Sequence, residues 1–370
     1  CSGCEKTNNK VIYDQNGYQI LNSPHNNFKA KILSWPFKNF WTLGGLSLEM
    51  LFHRPDILFV PSHVLPMIHP KKSIVTIHDI GFIKDSSLFE VDKIGSKNNF
   101  VKYLINIMTK TITLGKYGAN SFDYLRWSTR RALKKASKII TVSNFTKQEV
   151  LDHYKINDSK ISVVSNGYNS DLYKRVNDEE ELKSVLSKYG IEGPYFFYIG
   201  RLEKKKNIAA LIEAYAILRD KHQEIKHKLV LVGNASFGFD EIKYIIREFD
   251  LVEDVIIPGW LDEDVLPYMY SGADCFVFPS KYEGFGIPLL QAMACGTPIA
   301  ASEVASIPEV AGEAAVYFNP EFALSIAEAM YRLISNKDLR YSMSTKGLDR
   351  SKKFSWKKCA QETHKIIIDE

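Results

Sequence analysis

Short apolar runs rich in Ile and Val, closed by Gly, Pro, Ser or Asn, recur along the chain. In the first half they are Asp56–Ser62 (DILFVPS), Ser73–Asp79 (SIVTIHD), Lys138–Ser143 (KIITVS) and Ile161–Val164 (ISVV). A second series follows at Tyr195–Gly200, Lys228–Gly233, Val255–Gly259, Asp274–Ser280, Pro298–Ser302 and Ala315–Phe318. Continuous runs of this kind predict strands covered on both faces, because a strand with one wet face would alternate. Apolar positions at helical spacing separate many of them, as in Asn207–His222 (NIAALIEAYAILRDKH). Strand-helix alternation predicts a parallel sheet flanked by helices, and two such series predict two doubly wound α/β domains.

The seam between the series is Ser165–Lys183 (SNGYNSDLYKRVNDEEELK), which has turn residues, then charge, and no strand pattern. The expected organisation is a first domain over 1–165, a second over 166–353, and a terminal amphipathic helix over 354–370 that packs back on the first domain. One segment, about 92–124, interrupts the first series. Within it Phe100–Leu114 (FVKYLINIMTKTITL) is apolar, with Lys102 and Lys110 its only charges. It reads either as an inserted helix packed on the first domain or as a surface for membrane or lipid. Basic residues then recur at helical spacing in Arg126–Lys138 (RWSTRRALKKASK), a solvated helix face or a patch for anionic headgroups.

Composition narrows the class. The chain has 370 residues, 45% hydrophobic and 25% charged, as globular proteins do. Its net charge of +5 suits an anionic substrate or a membrane surface and is too weak to argue for nucleic acid. The five cysteines are odd in number and widely spaced, which does not make a disulfide framework. Cys1 and Cys4 form a lone CxxC pair with no second pair to complete a zinc site. No apolar run reaches the roughly 18 residues of a spanning helix, and no secretory leader is recognisable. A cytoplasmic setting is expected, at the inner face of the membrane if residues 100–138 touch lipid. The chain opens without Met, so its natural N-terminus is expected upstream.

In an open α/β sheet, ligands bind outside the carboxyl ends of the strands. The residues just after each run therefore carry the chemistry. After Tyr195–Ile199 come Gly200, Arg201 and Lys206, between a strand end and a helix start. Gly200 allows close backbone approach, Arg adds a bidentate fork, and a helix N-terminus favours phosphate. After Cys275–Phe278 the chain turns through Ser280–Gly286, with Pro288 suited to a first helical turn. Glu283 lies there between Tyr282 and Gly284, at the mouth of a cleft, where a carboxylate can accept hydrogen bonds from sugar hydroxyls. Asn234, after the Lys228–Gly233 run, and His78 with Asp79, after Ile77, stand at other strand ends. Asn144 and Lys147 open the helix after Lys138–Ser143.

Taken together, GRLEKKKN (200–207), the stretch from Pro258 to Gly312 and FSW (354–356) resemble the family 4 retaining glycosyltransferases of the GT-B fold. TIHDIGF (76–82), ITVSNFTKQEV (140–150) and ISVVSNGYN (161–169) resemble that family's first domain. The resemblance covers most of the chain from Asp56 onward. It implies two Rossmann-like domains facing a cleft, and a nucleotide diphosphate sugar as co-substrate with no cofactor or metal. The implied acceptor is a glycan or lipid-linked hydroxyl. By position in this sequence, it makes Arg201 and Lys206 a diphosphate clamp in place of a metal. It sets Glu283 on the hydroxyls of the transferred sugar and His78 beside that sugar. Gly200, Asn234, Trp260, Leu261, Gly284, Phe285, Gly286, Ile287, Leu290 and Gln291 are implied as the donor-binding set, with Trp260 and Leu261 edging the base.

Two departures stand out. The family carries a second glutamate eight residues after the first, on the ribose hydroxyls; here that position is Gln291. An amide brings no charge. On the resemblance, Gln291→Glu would tighten nucleotide binding by about 1 kcal/mol. The family also begins with a strand, a glycine-rich loop and a long helix, and that unit is expected to be missing ahead of NNKVIYDQN (8–16). These departures keep a non-catalytic sugar-nucleotide binder as the rival to a transferase of polysaccharide or glycoconjugate synthesis. A nicotinamide enzyme ranks third, because no GxGxxG opens a helix after a strand with an acidic residue about 20 positions on. Because two cations replace a metal, transfer is predicted to persist in EDTA. Loss on chelation that Mg²⁺ or Mn²⁺ restores would contradict this.

Overall fold

The structure is a computed structural model. It describes residues 12–13, 19–20, 31, 33, 41–84, 103, 107, 110, 117–118, 120–235 and 238–370. Cys1, Cys4, nearly all of the run 100–114 and most of the region ahead of 41 lie outside that set. So do the expectations attached to them.

The chain divides into two compact units. One comprises Cys1–Arg54 with Pro66–His69. In it β1 (Ile12–Tyr13) pairs antiparallel with β2 (Gln19–Ile20), and α1 spans Gly45–Phe52. Ser47 Oγ donates to the Leu43 carbonyl and accepts from Met67 N at 2.7 Å, and Lys31 Nζ meets Glu49 Oε1 at 2.6 Å.

The other unit, Pro55–Leu65 with Pro70–Glu370, holds both parallel sheets. Its first part runs β3 (Ile57–Val60), β4 (Lys72–Ile77), α2 (Gly81–Lys84), α3 (Ser121–Lys135), β5 (Lys138–Thr141), α4 (Asn144–Tyr154) and β6 (Ile161–Val163). These strands form a parallel sheet in the order β3-β4-β5-β6. The basic helix expected at Arg126–Lys138 begins earlier, because Asn120 caps it by accepting from Asp123 N at 2.8 Å. It ends at Lys135, where Ala136 turns extended to enter β5. Caps of this kind contribute about 1 kcal/mol each.

The second part runs α5 (Glu179–Ser187), β7 (Tyr195–Ile199), α6 (Ile208–Lys221), β8 (Lys228–Val232), α7 (Phe239–Glu248), β9 (Val255–Gly259), α8 (Leu266–Ser271), β10 (Cys275–Phe278), α9 (Ile287–Ala294), β11 (Ile299–Ser302), α10 (Ile307–Ala311), β12 (Ala315–Phe318), α11 (Ala323–Ser335), α12 (Lys337–Ser351) and α13 (Trp356–Ile368). The strand order is β12-β11-β10-β7-β8-β9, all parallel, with the switch point between β7 and β10. Both faces are covered, as the continuous apolar runs require. On β7, Tyr195 and Phe197 join one core with Leu289 and Leu290. Phe196 and Tyr198, on the opposite face, join another with Leu211 and Tyr215.

The two sheets share one compact unit because several contacts join them. A Cβ added at Gly284 would lie 1.8 Å from the His78 carbonyl oxygen. Ser143 Oγ donates to the Gly284 carbonyl at 2.7 Å. The Glu309 carboxylate covers the start of α4, accepting from Asn144 N at 2.8 Å and Phe145 N at 2.9 Å. Lys205 Nζ meets Asp79 Oδ2 at 3.3 Å. On α13, Cys359, Ile366 and Ile367 pack against the cluster of Ile74 and Ile140 of the first sheet and Val164 just after β6. Gly167, in the expected seam, lies against the start of α13, where an added Cβ would fall 2.1 Å from Trp356 N.

Gly284→Ala therefore sets a side chain against backbone that cannot rotate aside. It is expected to destabilise the chain by about 2 kcal/mol or more, read as a lowered thermal midpoint. An unchanged midpoint would mean the turn and His78 separate freely.

Candidate active site

The carboxyl ends of β7, β8 and β9 converge around glycines. Gly200 (φ +151°) and Gly233 (φ +142°) adopt backbone that side chains disfavour. A Cβ on Gly233 would fall 1.9 Å from the Gly200 carbonyl oxygen, so these strand ends touch through backbone. Beside them opens a pocket of about 330 Å³, lined by Gly200, Arg201, Asn234, Trp260, Leu261 and Gln291 among others. Six expected donor-site residues from four separate stretches of sequence thus meet in one cavity. The Arg201 side chain is 71% exposed, and among the described residues its ion-pair partner is Glu203 at 3.5 Å. An exposed pair at that distance contributes little, so the guanidinium is available to a ligand. Trp260 is 73% exposed and offers its indole face.

Lys206 and Glu283 do not line that pocket. Lys206 ends a 3₁₀ turn, Lys204–Lys206, and Asn207 (φ +59°) redirects the chain into α6. Its Nζ meets Glu283 Oε1 at 2.5 Å, with the side chains 21% and 11% exposed. Glu283 was expected at an open cleft mouth; it is buried, because the turn that carries it folds inward. Ser306 Oγ donates to the Glu283 carbonyl at 2.9 Å and to the Phe285 carbonyl at 3.2 Å. Gly286 (φ +103°) then starts α9. Two groups assigned by resemblance to phosphate and to sugar are thus each other's partners.

The remaining expected residues divide. Leu290, fully buried, and Phe285 belong to the core under the second sheet, so their side chains hold α9 and its turn rather than a ligand. Ile287 packs against the same core. His78 is exposed, with Nε2 3.2 Å from the Pro61 carbonyl, which fixes the proton on that nitrogen. Asn144 is engaged by Glu309, and Lys147 by Asp158 at 2.8 Å, so neither is free to face a ligand. Among the described residues no three His, Cys, Asp or Glu side chains converge as a metal ion would need.

Gln291 is less free than its spacing implied. Tyr270 is fully buried, burial holds its phenol well above the usual range, and its hydroxyl donates to Gln291 Oε1 at 3.0 Å. Sequence reading missed three residues, two at this pocket and one beside His78. Tyr173 lines the pocket, and its hydroxyl donates to Glu263 Oε1 at 3.4 Å. Burial first, and the Glu263 carboxylate second, push the Tyr173 phenol up, so it stays a donor. Glu263 lines the pocket too. His63 lies near His78 and Asp79, and burial lowers its pKa. Glu263 and His63 both follow strand ends, where the same rule that found Asn234 would have caught them.

Comparison with known families decides the class. Residues 23–172 match the family described as Glycosyltransferase Family 4, and residues 178–350 match Glycosyl transferases group 1. The chain belongs to the family 4 glycosyltransferases. It is 34% identical over 248 residues to the O-antigen chain mannosyltransferase B of Escherichia coli, covering 65% of this chain and 62% of that one. Sucrose-phosphate synthase from Thermosynechococcus elongatus superposes with a TM-score of 0.62 at 22% identity, over 82% of this chain and 68% of the other. Anabaena HepE in complex with UDP and glucose gives 0.62 at 18%, over 81% and 72%. The fold is GT-B, two parallel-sheet α/β domains. No helix among the described residues is long and apolar enough to cross a membrane.

The Lys206–Glu283 pair should behave as a coupled unit. Lys206→Met and Glu283→Gln, each leaving one buried charge alone, are expected to destabilise the unliganded protein by roughly 2 kcal/mol. The double variant should regain most of that in denaturant titration. Additive losses would mean the two side chains do not interact.

Proposed function

We propose that the protein is a retaining, metal-independent glycosyltransferase. It moves a hexose, with mannose the first candidate, from a nucleotide diphosphate sugar to a hydroxyl of a glycan or lipid-linked acceptor. The proposed setting is polysaccharide or glycoconjugate synthesis in the cytoplasm. The observation that carries this reading is the strand-end pocket with Arg201 at its edge. Its backbone approaches closely through Gly200 and Gly233, and an indole flanks it, as a nucleotide requires. The mannosyltransferase name of the Escherichia coli relative points to the sugar, and the UDP and glucose bound to Anabaena HepE point to the donor class.

In the mechanism, the bond from the anomeric carbon to the distal phosphate oxygen breaks as the acceptor oxygen bonds on the same face. The departing phosphate oxygen takes the acceptor proton, so no glycosidase-like carboxylate pair is needed. Negative charge grows on that phosphate, and cations aimed there stabilise the transition state more than the ground state. Arg201 is free to do this at once. Lys206 first exchanges Glu283 for phosphate, which releases the carboxylate to accept from sugar hydroxyls. Donor binding and the opening of that ion pair are then one event. His78, with Nε2 committed to Pro61, presents Nδ1 as an acceptor to the sugar. A contact with anionic membrane through α3 fits this role, because Arg126, Arg130 and Lys134 recur every four residues on an exposed face.

The test is mass spectrometry of products from a panel of nucleotide sugars, GDP-mannose included, with cell-envelope extract. Binding of nucleotide sugar with no turnover of any donor would favour the rival binder. Arg201→Ala and Lys206→Ala are each expected to lower transfer about 100-fold, roughly 3 kcal/mol of transition-state stabilisation. Near-native turnover in both would remove the clamp.

A further inference from the structure

The polar chain behind the pocket runs in one direction. Tyr270 gives its proton to Gln291 Oε1, and Tyr173 gives its proton to Glu263 Oε1. Gln291 lines the same pocket as Tyr173 and Glu263. The rings of Tyr173 and Tyr270 are themselves packed edge to face, 6.1 Å apart. Gln291 thus has its oxygen occupied by one buried phenol and shares the pocket wall with the other. A neutral side chain suits that place, because Phe197, Phe276 and Leu289 crowd the same core. The negative charge stands one step outward, on Glu263 at the pocket wall, where water still reaches it.

We propose that Glu263 accepts the ribose hydroxyls of the donor nucleotide, and that Gln291 with Tyr173 is the support that orients it. This rests on the reading of the pocket as a nucleotide site. A vicinal diol offers two O–H donors, and a carboxylate on the wall of the pocket offers acceptors for both. Tyr173 takes only part of the Oε1 capacity and fixes the rotamer. The exposed Trp260 face, in the same loop, is then left for the base, on which a ring can stack. The geometry also reverses the expectation for Gln291→Glu. A second carboxylate at 291 would stand across Tyr173 from Glu263, and like charges so placed repel.

Calorimetry with GDP, UDP and their 2′-deoxy counterparts tests this on the full chain. Wild type is expected to bind the ribonucleotide of its preferred base at least 5-fold more tightly than the 2′-deoxy form. Glu263→Gln, an exposed site where folding is not at stake, should bring the two within 2-fold. Tyr173→Phe should shrink the preference while leaving 2′-deoxy binding as it was. Gln291→Glu should not tighten binding. Three results would overturn the proposal: a ribose preference that survives Glu263→Gln, an equal loss for ribo and deoxy forms, which would put the carboxylate on the base, or a several-fold gain from Gln291→Glu. If wild type binds none of the nucleotides, the nucleotide reading of the pocket falls first and takes this inference with it.

Discussion

The turn after β10 meets the end of β4 at backbone distance, and most of the site depends on that meeting. Gly284 has no side chain, and nothing else would fit against the His78 carbonyl. Ser143 and Thr146, at the start of α4, both donate to the Gly284 carbonyl, at 2.7 and 3.2 Å. The Gly284 carbonyl thus receives hydrogen bonds from the start of α4, one residue after Glu283 in the chain. The steep turn also forces Glu283 inward, onto Lys206, and brings Tyr282 against Gly81 and under Lys205.

The electrostatics follow from that packing. Adjacent lysines split their duties: Lys205 reaches Asp79 across the junction, and Lys206 reaches Glu283 beside it. Arg201, by contrast, stays in solvent. A buried ion pair with little net stabilisation is easily exchanged for a ligand that supplies the same charges in the same places. On the proposed function, an anionic donor carrying hydroxyls would offer phosphate to the lysine and hydroxyls to the carboxylate.

Much of this was legible along the chain. The continuous apolar runs gave every strand of the two parallel sheets to within a few residues, because a strand buried on both faces leaves no polar alternation. The strand-end rule pointed to Gly200, Arg201 and Asn234, and the family resemblance added Trp260 and Gln291; these five meet in one pocket, while Lys206 and Glu283, from the same rule, do not line it. Neither reading separated Leu290 and Phe285, whose side chains the same helix and turn send into the core. A helix position alone does not tell which way its face points. Lys147 likewise opens a helix at a strand end, yet Asp158 draws it away.

The sequence by itself determined the two α/β series, the family 4 motifs and the residue types from which a diphosphate site can be built. Local patterns suffice for that, since strand burial and turn chemistry are set by near neighbours. Only the tertiary structure decided which of those residues face one another. Lys206 and Glu283 are 77 positions apart, Tyr173 and Glu263 are 90, and Asn144 and Glu309 are 165. No periodicity spans such distances. Whether a carboxylate is paired, capping a helix or free for a ligand depends on what packing sets within about 3 Å of it, and that is a property of the folded chain.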